Sequence, residues 1–183
     1  MKLTLDNPVT VAAPFGDRFA HVARLDVGGG ALLVLSGQIS VDDRGEVYAP
    51  GDIAAQTERI FEIVGGLLAA HGAGFGDVLH IRTFMTDLDD LPGYGAARRR
   101  LFPGTPPAST TVEVSRLFLA GALLEVEVTA AALRGRGQEH SAGEGVDAAQ
   151  CVGEPVVPGH PLDQRRGLVD GDAGGGDVQR LRS

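Results

Sequence analysis

With one cysteine, Cys151, among 183 residues, the chain can close no internal disulfide, and no Cys/His spacing matches a zinc site. No metal is therefore expected. No run of eighteen apolar residues is present, which excludes a conventional membrane-spanning helix. The N-terminus, Met1-Lys2-Leu3-Thr4-Leu5-Asp6, lacks the basic start and apolar stretch of a secretion signal. These absences lead us to expect a cytoplasmic protein without a membrane partner. Basic charge is also scarce, with a formal net charge of −8 and, in residues 1–133, sixteen acidic against ten basic side chains. Backbone-phosphate binding relies on clustered Lys and Arg, so no nucleic-acid partner is expected. The one basic run, Arg98-Arg99-Arg100, reads as a solvated helix face or a subunit contact.

Hydrophobic residues make up 43% of the chain, enough for one domain with a sizeable core. Composition changes after Leu133. Residues 134–183 begin Arg134-Gly135-Arg136-Gly137 and hold eleven glycines, three prolines and no aromatic residue. They lack sustained periodicity, so we expect a domain over 1–133 and a disordered Gly-rich tail over 134–183.

Within 1–133, apolar runs over 18–25 and 31–38 flank Gly28-Gly29-Gly30 and predict a hairpin. The turn Asp42-Asp43-Arg44-Gly45 leads to a short predicted strand at Val47-Tyr48. Asp52 is a candidate N-cap for a helix carrying Ile53, Thr57, Ile60, Val64, Leu67 and Leu68 on one stripe and ending at His71-Gly72. Its interior Gly65-Gly66 costs about 1 kcal/mol per residue relative to alanine, unless close packing requires them. A strand over 78–85 follows, then a helix from Asp89 or Asp90 to Pro103. Strands over 110–114 and 123–131 complete a β-β-β-α-β-α-β-β order. The expected class is α+β, one sheet with both helices on one face. On the last strand Leu124, Val126 and Val128 alternate with Glu125, Glu127 and Thr129, so its two faces differ in role.

Ser36-Gly37-Gln38-Ile39, Gly51-Asp52-Ile53 with Gln56, Thr86-Asp87-Leu88, Pro107-Ala108 and Leu124-Glu125-Val126-Glu127 occur in this order over about residues 19–131. In this the chain resembles the RidA/YjgF family. The resemblance implies a chorismate-mutase-like fold, a homotrimer whose sheets form a central barrel, and small-molecule sites in the clefts between subunits. It also implies cofactor-free hydrolysis of reactive enamines and imines to carbonyl compounds and ammonia. Glu125 matches the glutamate that positions the hydrolytic water, and Ser36 and Gly37 match a strand-end substrate contact. Phe19 stands where a tyrosine is usual, Gly95 where an asparagine is common, and Thr111 where a cysteine is frequent.

In deaminating members an arginine follows Pro-Ala and pairs with the substrate carboxylate through a bidentate fork. Here that position is Ser109. A charged hydrogen bond contributes about 1.5–3 kcal/mol, so its loss weakens anion binding by about one to two orders of magnitude. We therefore expect Glu125 as the catalytic residue and Phe19, Ser36, Gly37, Ser109 and Thr111 as substrate contacts. The substrate need not carry an α-carboxylate. A non-catalytic metabolite-binding or regulatory trimer is the alternative.

Several other residues have plainer roles. No Gly-x-Ser-x-Gly elbow surrounds Ser109, which makes it a pocket hydroxyl rather than a nucleophile. His21 and His80 read as packed or surface residues, and Glu127 and Glu113 as structural carboxylates. Arg24, Arg82 and Arg116 are candidates for a replacement cation. Ser36-Gly37-Gln38 has one glycine and no following helix, so it is no phosphate loop.

Overall fold

The computed structural model describes residues 1–14 and 18–133. The proposed tail, with Cys151, lies outside the described residues. Six strands form one sheet in the order β1-β2-β3-β6-β4-β5. They are β1 (Lys2–Asp6), β2 (Val22–Asp26), β3 (Gly30–Ile39), β4 (Val78–Met85), β5 (Ala108–Glu113) and β6 (Leu124–Leu133). All neighbours are antiparallel except β4 and β5. Two helices, α1 (Ile53–Ala70) and α2 (Leu91–Leu101), connect β3 to β4 and β4 to β5.

The alternation on β6 produces the expected division. Leu124, Val126, Val128 and Ala130 are buried with Leu33 and Leu35 of β3 and Ile81 of β4, under Ile60, Val64 and Leu67 of α1. Thr83 on this same side bonds Tyr94 of α2 through their hydroxyls at 2.7 Å, so both helices cover one face. The opposite face has no helix. Val34, Leu79 and Val112 remain 46%, 50% and 39% exposed.

Asp52 caps α1, its carboxylate accepting from the Ala55 amide at 3.0 Å, and the chain turns away at His71 and Gly72, the latter at φ +72°. The adjacent glycines inside α1 have packing reasons. A Cβ on Gly65 would lie 3.3 Å from the Phe75 ring, and one on Gly66 would lie 3.3 Å from Val11.

Two strand expectations need correction. Val47-Tyr48 is no ladder strand, because only an isolated bridge joins Val47 to Val41. The additional early strand is instead β1, paired along β2 from Lys2 opposite Asp26 to Asp6 opposite Val22. Its outward Leu3 and Leu5 are 64% and 66% exposed, so the usual signal of a half-buried strand is weak there. Among the described residues no helix is long and apolar enough to cross a membrane, and no group of three or more potential metal ligands occurs.

Candidate functional site

The register between β3 and β6 shifts between Leu35 and Gln38. That irregularity builds the main cleft. At Gly37 the backbone comes so close to Glu125 that a Cβ would collide with its carboxylate, so glycine gives Glu125 its position. The cleft has a volume of about 1040 Å³ and is lined by Phe19, His21, Gly37, Gln38, Arg59 and Glu125, among others. Glu125 is half-buried. Burial pushes its carboxyl above the usual glutamate range, and the neighbouring Glu127 charge adds to the rise.

Hydrogen bonds tie this wall to the strands behind it, where Ser36 stands without lining the cleft. The Ser36 hydroxyl donates to the Ala20 carbonyl at 2.7 Å, joining β3 to the segment before β2. The Gln38 amide donates to Ser36 O at 2.9 Å and lies 3.3 Å from His21 Nδ1. His21 Nε2 is 2.9 Å from the Ala12 carbonyl. A donor at Nδ1 and an acceptor at Nε2 fit the tautomer protonated on Nε2. Both ring nitrogens are thus engaged, in keeping with a packed wall. Phe19 meets the imidazole edge-to-face, centroids 5.9 Å apart, and is 41% exposed. Arg59 bonds Val41 O and Glu62.

Of the sequence-identified contacts, Phe19, Gly37 and Glu125 meet at this cleft. Ser109 and Thr111 do not line it. They lie on β5, at the far end of the sheet from β1 and β2, in register with Ile81 and Thr83. Ser109 is exposed, and its hydroxyl accepts from Arg98 Nη1 at 2.8 Å. Within one chain Glu125 and the Ser109–Arg98 pair therefore lie in two separate places.

The arginines singled out from sequence behave differently from Arg98. Arg24 pairs with Asp26 at 2.9 Å and Arg82 with Glu127 at 3.0 Å, while Arg116 is exposed outside the regular elements. His80 lies 3.4 Å from the Thr110 hydroxyl, and Glu113 accepts from the Leu88 amide at 3.1 Å. The Arg98–Ser109 contact was not anticipated, because Arg98 opens a triplet of arginines read as a solvated face or subunit contact. Its signal was the spacing Tyr94, Arg98, Phe102, which stacks three side chains on consecutive helical turns.

A family model described as Endoribonuclease L-PSP matches residues 18–132. Protein DfrA of Myxococcus xanthus is 38% identical over 106 residues, 58% of this chain and 80% of that protein. The 2-iminobutanoate/2-iminopropanoate deaminase of Escherichia coli K12 is 33% identical over 118 residues, covering 62% and 87% of the two chains. The solved YjgF gene product of E. coli is 30% identical, with a TM-score of 0.60 over 72% of this chain and 98% of that one. The family model covers more than half of the chain, the relatives share about a third of its residues over most of their own length, and the fold matches, so the chain belongs to the RidA/YjgF family.

Proposed function

We propose that this protein is a cofactor-free hydrolase of a small imine, enamine or related carbonyl-nitrogen compound. The carrying observation is Glu125, a half-buried carboxylate with raised proton affinity, set against the side-chain-free Gly37 in a cleft. The reaction takes place between copies of the chain in a homotrimer. There the Phe19, Gly37 and Glu125 half-site of one copy faces the Ser109 and Thr111 half-site of its neighbour. Two half-sites that one chain does not bring together support this reading.

In the mechanism, ionised Glu125 accepts a proton from water as the water oxygen bonds to the imine carbon. The same proton passes to nitrogen, giving a carbinolamine. Its carbon–nitrogen bond then breaks as the oxygen reforms a carbonyl and its proton moves to the departing nitrogen. Imine plus water thus yields carbonyl compound plus ammonia, while an enamine first tautomerises to the imine. Backbone groups at Gly37 and the hydroxyls of Ser109 and Thr111 orient the substrate, and Phe19 forms an apolar wall. No step draws on an oxidant or a metal. The reading places the protein in the cytosol, among enzymes that release such intermediates. The nuclease description of the matched family is not adopted, since this acidic chain offers little basic surface for a phosphate backbone.

The test is carbonyl and ammonia release from freshly generated 2-iminobutanoate and from an uncharged imine. We expect turnover by the wild type on at least one substrate and a loss of about 100-fold or more in Glu125→Gln, with unchanged oligomeric state. An equally active Glu125→Gln overturns the assigned role. Thermal stabilisation by the carbonyl product without any turnover supports the binding-protein alternative instead.

A further inference from the structure

Glu125 stands in β6 between two apolar residues, Ile39 of β3 and Phe84 of β4, each directly across the sheet from it. Glu127 is two residues further along the same strand and so on the same face. Directly across from Glu127 on β4 is Arg82, whose Nη1 donates to Glu127 Oε2 at 3.0 Å. Alternation sets the face: Arg82 lies between the buried Ile81 and Thr83, and Glu127 between the buried Val126 and Val128. On the helix-free side, one cation is thus paired with the carboxylate next to Glu125 and is itself the diagonal neighbour of Glu125.

The other charges around Glu125 are placed differently. On β4, His80 lies beyond Arg82, opposite Thr129 and beside Thr110. Strand β3 carries no ionisable side chain. Around the cleft are Arg18, His21, Asp43, Arg59 and Glu62. Of these, Arg59 is engaged by Asp43 and Glu62, His21 by Gln38 and Ala12, and Arg18 is exposed. Exposed ion pairs contribute little to stability, and the Arg82 and Glu127 side chains are 51% and 37% exposed. Placement gives this pair a second consequence. An uncompensated Glu127 repels negative charge at Glu125 and holds the Glu125 proton on, whereas a guanidinium bound to Glu127 offsets that repulsion.

We propose that Arg82 is a positioning residue for Glu125: by pairing with Glu127 it offsets the second carboxylate, so that Glu125 can ionise near neutral pH and take a proton from water. Arg82 touches no substrate in this account and acts through Glu127. Its effect on rate rests on the hydrolase function proposed above, whereas its effect on the Glu125 proton does not.

The experiment compares the wild type with Arg82→Gln, Arg82→Lys and Glu127→Gln at one low ionic strength. Carboxyl-carbon NMR follows the Glu125 proton, its signal identified by its loss in Glu125→Gln, and imine turnover is measured over the same pH range. Removing the cation should raise the midpoint, and removing the second carboxylate should lower it. On the acidic side of the profile, Arg82→Gln should be about two- to fivefold slower than the wild type and Glu127→Gln faster. Arg82→Lys, which keeps the charge, should restore the wild-type profile, and high salt should shrink every difference. Circular dichroism verifies the fold of each variant. A pair that only braces the sheet predicts changes of the same sign in both neutral variants, so midpoints that move together, or not at all, overturn the inference. Opposite midpoint shifts by NMR without imine turnover keep the tuning and remove the hydrolase. Imine turnover with every profile unmoved does the reverse.

Discussion

Glu125, which the proposed reaction makes its base, is also a burden on the fold. Because its carboxyl is raised by burial and by Glu127, the folded chain binds that proton more tightly than the unfolded chain. Stability from this group is fully present at low pH and is lost as pH rises from the ordinary glutamate range through the raised value. Glu125→Gln is therefore expected to melt higher than the wild type near neutral pH. The difference should fade as pH is lowered below the ordinary glutamate range, as read from melting curves at constant ionic strength. Glu125 and Gly37 stood out in the sequence because each sits in a short motif, and Glu125 also lies on an alternating strand. The Arg98–Ser109 contact did not, since it depends on the distance from α2 to β5, which neighbouring residues along the chain do not reveal.

At the scale of the element, α1 is fastened by a residue that its apolar stripe does not explain. Gln56 is fully buried. Its amide nitrogen donates to Ala49 O at 3.1 Å and Gly121 O at 2.9 Å, and its oxygen accepts from the Leu123 amide at 2.9 Å. One side chain thus ties the helix start to the loop before it and to the entry into β6. Gln56→Leu leaves these backbone groups unpaired and is expected to cost about 2–3 kcal/mol, measured by urea unfolding with an unchanged m-value. The helices were readable from the period of Ile60, Val64 and Leu67 and from Asp52 and Pro103. Pairing was harder: Val47-Tyr48 has strand-forming residues but only one bridge, while β1 is held along its edge by a ladder that its exposed leucines do not advertise.

At the scale of the whole molecule, the sheet face without helices is uncovered among the described residues. Val34, Leu79 and Val112 are all well exposed there, and β5 is exposed along nearly all of its length. An uncovered sheet face with exposed apolar side chains commonly meets another protein surface. Light scattering is expected to give three times the 19.0 kDa of one chain, and Val34→Glu should shift the population towards monomer and remove turnover with it. A monomeric wild type would leave Glu125 apart from Ser109 and Thr111 and end the proposed mechanism.

The crowding of Glu125 against Gly37 also bears on how this protein responds to selection. A library screened only for survival of heating would favour neutral side chains at position 125, since the charge there opposes the fold. Heat-selected winners would then lack the carboxylate that the proposed turnover uses, so heat alone would select against it.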